Sequence, residues 1–435
     1  MDSTGARRVV VVDGCLTPFL RANTLFKDLT SYELARLALI GLRKKTNLDV
    51  NLVDRVIMGT VISNMATSNV AREALLGAGY SKKTPAFTVT LACISSNAAI
   101  AAGVDLIASG RANVVVAGGT ESMSDVPIRY RKAVRQRLVD SQRFKSPMQY
   151  LSLLKGLKLK DLLPEIPSIT EFSTGLTMGA DCDRLAARFG VSREAQDAFA
   201  LRSHHNAHRA TQDGTLAREI EPVVSPPKFG EVALDNGVRG DSSAEKMASL
   251  KPAFERAYGT VTAANASFLT DGASALLLMS EETALTLGYT PKAFVSDYVF
   301  AAQDPSDELL LGPAYAIADI LERNALSIGD IDVFEMHEAF AGQVLANLNC
   351  LADAGYAKRY LGRDQAIGQI PDSKLNLHGG SLSLGHPFGA TGARLVTTAA
   401  NRLGAEQGRY ALVAACAAGA QGHAMLLERY SGESA

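Results

Sequence analysis

The apolar positions of this chain fall into short unbroken runs, separated by stretches with helical spacing. Val9-Val10-Val11-Val12 opens the series as a strand buried on both faces. Tyr32 to Asn47 is predicted as an amphipathic helix, and Leu52 to Gly59 as a turn into a second strand. An apolar run ending at Cys93 leads into a small-residue helix reaching about Ser109, followed by the strand Ala112 to Gly119. The order then recurs. Ala314 to Asn324 reads as helix and Ile328 to Glu335 as turn and strand; a helix follows His386 through Arg402, and a last strand ends at Cys416. Strands rich in Val and Ile alternating with helices predict an α/β fold with largely parallel strands. The repeated order predicts a duplicated unit.

Between the two series, from Asp125 to Glu255, the texture changes. Pro127, Pro147, Pro164, Pro167, Pro222, Pro226 and Pro227 interrupt it, and Ser192 to Gln212 is its clearest helix, with Ser192 as N-cap. Residues 129–160 hold ten Lys or Arg against the single acid Asp140, interleaved with Met148, Tyr150, Leu151, Leu157 and Leu159. A solvated helical surface is one reading. An anionic membrane surface, an acidic partner chain or a phosphate-bearing substrate are the others.

Composition narrows the class. With 435 residues, 47% hydrophobic and 20% charged, the chain is long enough for two or three globular parts. A net charge of −1 gives no general attraction to nucleic acid, and no apolar run reaches the ~18 residues of a membrane span. Met1 to Arg8 runs directly into the first strand, so no leader segment is expected. Five cysteines without a CxxC spacing fit a reducing cytoplasm rather than a disulfide framework or zinc site.

The candidate chemistry lies where elements end. Cys93 is placed at a helix N-terminus, where free backbone N–H groups and the helix dipole favour thiolate, the nucleophilic form. His386, in Gly385-His386-Pro387 with Pro387 expected in the first helical turn, is a candidate general base. Cys416 ends its strand in surroundings that match those of Cys93, before an Ala/Gly loop able to offer N–H groups to an oxyanion. A second thiol there suits proton shuttling at a carbon acid. His337, in His337-Glu338-Ala339-Phe340, could hold a water or carbonyl oxygen; Ala341 rules out the HExxH zinc motif. Cys15, Cys182 and Cys350 read as packing, and His204, His205 and His208 as surface residues. No Walker A or GxGxxG loop is present, so nucleotide chemistry is unsupported.

Taken together, Leu91-Ala92-Cys93-Ile94-Ser95-Ser96, Gly118-Gly119-Thr120-Glu121-Ser122-Met123-Ser124, Asn265-Ala266-Ser267, Gly385-His386-Pro387 and Cys416 with Gly419 and Gly422 resemble the thiolase family over nearly the whole chain. The resemblance is nearest to the β-subunits of trifunctional fatty acid oxidation complexes, which also carry His-Glu-Ala-Phe where most thiolases have Asn-Glu-Ala-Phe. It implies a five-layered αβαβα fold. The N-terminal half would comprise residues 1–126 and 256–292, the inserted loop domain 127–255 and the C-terminal half 293–435. The implied reaction is cleavage of 3-ketoacyl-CoA by CoA in fatty acid β-oxidation, with CoA as co-substrate and no cofactor or metal. Cys93 would be the acylated nucleophile, His386 its base, and Cys416 the proton carrier. His337 and His386 would form one oxyanion hole, and the N–H groups of Cys93 and Ala418 the other. Arg239, Ser267 and Met178 would contact CoA or wall its pocket, although Thr177 stands where many thiolases have His. A homodimer or dimer of dimers, a hydratase/dehydrogenase α-subunit and a membrane contact through residues 129–160 are the implied partners. A biosynthetic acetoacetyl-CoA thiolase and a non-catalytic acyl-CoA-binding subunit stand as alternatives.

Overall fold

The computed structural model describes residues 7–165 and 170–432; Met1 to Ala6, on which the leader expectation rests in part, and Pro167 lie outside them. The first series forms β1 (Val9–Leu16), α1 (Ser31–Thr46), β2 (Arg55–Gly59), β3 (Ala86–Val89), α2 (Ser95–Ala108) and β4 (Val114–Glu121). An excursion follows, carrying α3 (Met178–Arg188) and α4 (Arg193–Gln212). The chain then returns as β5 (Thr270–Ser280). The second series forms β6 (Ala293–Ala302), α5 (Gly312–Arg323), β7 (Val333–Met336), α6 (Ala341–Ala352), α7 (Thr391–Glu406), β8 (Tyr410–Ala417) and β9 (Gln421–Arg429).

The strands run in the order β3-β2-β4-β5-β1-β6-β9-β8-β7. Read from the centre outward, each half places its first, last, next-to-last and second strands in that order. β3 completes the first half, and an isolated parallel bridge between Phe334 and Leu375 stands in its place in the second. Within the sheet the halves pair through Val10 with Phe294 and Val11 with Ala293. Neighbouring positions on one strand serve opposite layers. Val9, Val11, Val115, Leu276, Val413 and Met425 pack on the inner helices α2 and α7. Val10, Val116 and Leu277 face α1, while Leu412 and Leu426 face α5 and α6. Burial on both faces explains why these strands read as continuous apolar runs. The result is the five-layered αβαβα arrangement.

Two sequence expectations change. The long helices of the excursion pack largely on the second half: Cys182, Leu185 and Phe199 belong to its core, while Ala207 and Ala210 join Leu216 and Leu384 in a small cluster of their own. The surroundings of Cys93 and Cys416 are also not equivalent, since Cys93 lies in the turn before α2 and Cys416 within β8. β3, which precedes Cys93, is a half-exposed edge strand rather than a buried one.

Candidate active site

Cys93 sits on a tight turn. Ala92 has φ +46°, a left-handed conformation that costs a non-glycine residue about 1–2 kcal/mol. Ser95 holds the turn closed, its Oγ accepting from Leu91 N (2.8 Å) and donating to Ala92 O (2.7 Å). Of the five free cysteines, only Cys93 reaches solvent. Across the site, β7 ends at Met336, and His337 N donates to Ala414 O (2.8 Å), carrying the pairing with β8 one residue further. His386 N donates to Thr270 Oγ1 (3.0 Å). Pro387 precedes α7 instead of occupying its first turn; its carbonyl accepts from Ala390 N and Thr391 N.

The reactive atoms converge. The Cys93 sulphur and a ring nitrogen from each of His337 and His386 lie within 4.8 Å of one another. The two imidazoles are 4.1 Å apart between centroids. Both histidines are buried, and in each Nδ1 is engaged while Nε2 has no partner among the described residues. At His386 the engaged partner fixes the tautomer. Thr391 Oγ1 already donates to Pro387 O, so it can only accept from His386 Nδ1–H at 2.6 Å, leaving Nε2 as a free base. Ser381 Oγ lies 2.9 Å from His337 Nδ1 and makes no other hydrogen bond among the described residues, so it is free to donate to that nitrogen, the arrangement in which Nε2 carries the proton. Thr391 and Ser381 were not singled out from the sequence, because nothing local marks a hydroxyl that orients a ring from five or forty-four residues away.

The electrostatics overturn one expectation. Burial pushes the Cys93 thiol up to about 12, outweighing the Ala418 and Cys93 backbone N–H groups that favour its charged form. Helix α2 begins only at Ser95, and its terminus does not make a standing thiolate. Burial, His337 and the Arg394 charge hold His386 well below its ordinary value, and burial with Arg394 holds His337 down at about 3. Both rings are therefore neutral. Burial and the neighbouring Cys93 raise Cys416, which lies near enough for the two sulphurs to interact. The turn after Cys416 brings Ala418 N–H to the Cys93 sulphur, and Ala420 there has φ +54°.

The proposed CoA contacts lie outside this cluster. Ser267 N donates to Ala339 O, tying its segment to the His337 loop. Met178 is the first residue of α3 and packs on the second-half core. Thr177 is the cap of that helix, accepting from Ala180 N. Arg239 is exposed, and its N–H is held by His204 Nδ1 (3.2 Å); His204 is thus buried rather than on the surface. Arg21, missed in the sequence, lies near enough to Arg239 for their like charges to interact and stacks over Phe268 at 4.2 Å. Two guanidinium groups kept together suit an anion. The Cys93, His337 and His386 donors are also types that a soft divalent metal accepts.

Family models for the thiolase N-terminal and C-terminal domains match residues 9–282 and 289–429. The mitochondrial trifunctional enzyme subunit beta of Bos taurus is 56% identical over 98% of this chain and 89% of its own length. A probable 3-ketoacyl-CoA thiolase of Caenorhabditis elegans is 51% identical over 97% of this chain and 94% of its own. Human mitochondrial 3-ketoacyl-CoA thiolase, a solved structure, matches with a TM-score of 0.83 and 31% identity over 98% of this chain and 99% of that one. A duplicated five-layer fold, two thiols, two imidazoles and full-length likeness converge on one conclusion: this chain belongs to the thiolase family.

Proposed function

We propose that this chain is a degradative 3-ketoacyl-CoA thiolase, releasing acetyl-CoA and a shortened acyl-CoA. The observation that carries the reading is the meeting of the Cys93 sulphur with two buried imidazoles whose Nε2 atoms have no partner among the described residues. Cys93 is a neutral thiol, so its proton passes to His386 Nε2 as sulphur attacks the keto carbon. The resulting oxyanion takes the N–H groups of Cys93 and Ala418. Cleavage of the carbon–carbon bond moves the charge to the thioester oxygen of the departing acetyl-CoA enolate. There His337 Nε2–H and the newly protonated His386 receive it. Cys416 gives its proton to the enolate carbon, then takes one from incoming CoA. The CoA sulphur displaces Cys93, which recovers its proton from His386. Arg21 and Arg239 are suited to the phosphates of CoA, with Ser267 and Met178 along the pantetheine path.

The named relatives favour the degradative reading over a biosynthetic one. Incubation of the chain with a 3-ketoacyl-CoA and no CoA should leave Cys93 carrying one acyl group by intact mass, and Cys93→Ala none. Thiolysis across C4 to C16 chains tests the degradative part; activity confined to C4 overturns it.

The Bos taurus relative is by name one subunit of a larger enzyme, and association with a hydratase/dehydrogenase α chain is the corresponding proposal here. The segment 129–160 supports a docking role: Leu138, Val139, Met148, Tyr150, Leu151 and Leu159 are exposed among its ten cations. Reversing four of those charges should abolish α-chain pull-down or liposome binding and spare soluble thiolysis. The exposed edge at β3, with Phe87 uncovered, supports a homodimer or dimer of dimers, which sedimentation tests. The relative is named as mitochondrial, which weighs against a plainly cytoplasmic placement; fractionation decides the compartment.

A further inference from the structure

A buried carboxylate outside the catalytic group holds the turn that carries the Ala418 donor. Glu171 belongs to the excursion between the halves, and its side chain is buried although Phe172 beside it is fully exposed. Its Oε2 accepts from Gly419 N at 2.7 Å, and its Oε1 from Ser173 Oγ at 2.9 Å and Ser173 N at 3.3 Å. The backbone around it is closed on itself, with Glu171 N donating to Leu176 O and Gly175 N to Glu171 O. The carboxylate is therefore a fixed post. Burial opposes its charge, but the Gly419 and Ser173 donors outweigh that cost and lower its pKa.

The turn it grips needs holding. Between β8 and β9, Gly419 has φ +81° and Ala420 φ +54°, two left-handed residues in succession, one of them with a side chain. Ala418 N–H, aimed at the Cys93 sulphur, is the peptide immediately before the N–H bound by Glu171. A peptide flip or a drift of the turn would move both together. An oxyanion donor stabilises a transition state only when it is already in place as charge develops.

We propose that Glu171 is a positioning residue, clamping the turn after Cys416 so that the Ala418 N–H stays directed at the oxygen of the acyl group on Cys93. This rests on the thiolase reading, and the two can fail separately. The test uses two partial reactions of the full chain. Exchange of labelled CoA into an acyl-CoA requires the Cys93 oxyanion pair. Exchange of solvent deuterium into the acetyl carbon of acetyl-CoA draws on the imidazoles and Cys416. Glu171→Ala should slow the first by about 10- to 100-fold, because the donor is displaced rather than deleted, and leave the second within threefold. Glu171→Gln, whose amide oxygen can still accept from Gly419 N, should recover most of the first. Equal loss of both exchanges, or loss of neither, overturns the proposal. Failure of the unaltered chain to catalyse either exchange would instead overturn the thiolase reading.

Discussion

Replacing Thr391 by Val isolates the assignment of His386 as base. The two side chains have nearly the same shape, so the change removes one acceptor and little packing. In the native site Thr391 Oγ1 accepts from Nδ1–H at 2.6 Å and donates its own hydrogen to Pro387 O. Without that acceptor, a buried Nδ1–H is left unsatisfied, at a cost of about 1–3 kcal/mol. The ring escapes part of this cost by moving its proton to Nε2, where it can no longer accept from Cys93. Each 1.4 kcal/mol is about tenfold, so kcat should fall roughly 5- to 150-fold. KM should stay within about threefold, because no substrate contact is removed. Initial rates of thiolysis at saturating and limiting CoA measure both. Thr391→Ser keeps the acceptor and should retain most of the rate. A Thr391→Val protein with more than half the native kcat would refute the tautomer argument, as would a Ser variant as slow as the Val one.

Removing the second thiol by Cys416→Ala should lower thiolysis by about 10²- to 10⁴-fold, the usual range for a lost acid–base group, while acyl-CoA still labels Cys93 by mass. Micromolar Zn²⁺ should inhibit by bridging the Cys93, His337 and His386 donors; a chelator should restore activity, and Mg²⁺ should have no effect. His423 is fully buried, and burial lowers it to about 3, outweighing a Val299 backbone contact that favours its charged form. The unfolded chain takes up that proton as pH falls below ~6.5 and the folded chain does not, so stability is lost on the acid side. His423→Leu should gain about 2 kcal/mol at pH 5 relative to pH 8, read by denaturant midpoints.

How much of this was legible in the chain follows from physical range. The strands from Val9, Ala112 and Tyr410 and the helices from Ser192 and Ala314 are dictated locally, by two-sided burial or by caps and helical spacing. Cys93, His386, Cys416 and His337 stood out because each closes an apolar run beside small residues. The thiolate expectation for Cys93 failed because desolvation of the thiol is set by the tertiary fold, not by the helix that follows it in sequence. Thr391, Ser381, Glu171 and Arg21 carry no local signature, since each acts on a partner made adjacent only by the fold. His204 read as a surface residue because one helix face cannot reveal that the Arg239 loop covers it.

The duplication explains why chemistry and support divide as they do. β2 and β4 last pair at Gly59 and Gly119, while β7 and β8 last pair at Met336 and Ala414. Counting onward from those pairs, Thr60 corresponds to His337 and Glu121 to Cys416. Counting back from the inner helices, which begin at Ser95 and Thr391, Gly389 corresponds to Cys93. The contacts then cross between halves in the same sense. Cys416 of the second half approaches the Cys93 turn of the first, and Glu121 of the first half accepts from Gly389 N of the second at 3.0 Å. Glu121 also takes Thr60 Oγ1, Val61 N and Ile62 N. Gly389 packs so closely on Gly59 and Thr120 that a Cβ there would meet their oxygens at 2.6 Å. One of two related junctions is thus filled by a carboxylate and backbone donors, closed and structural. The other keeps a thiol at each of its two places and an imidazole at Thr60's counterpart, open to substrate. The buried carboxylate junction fixes the Gly385 to Gly389 loop and with it His386, so the closed half of the pseudo-symmetric pair holds the base used by the open one.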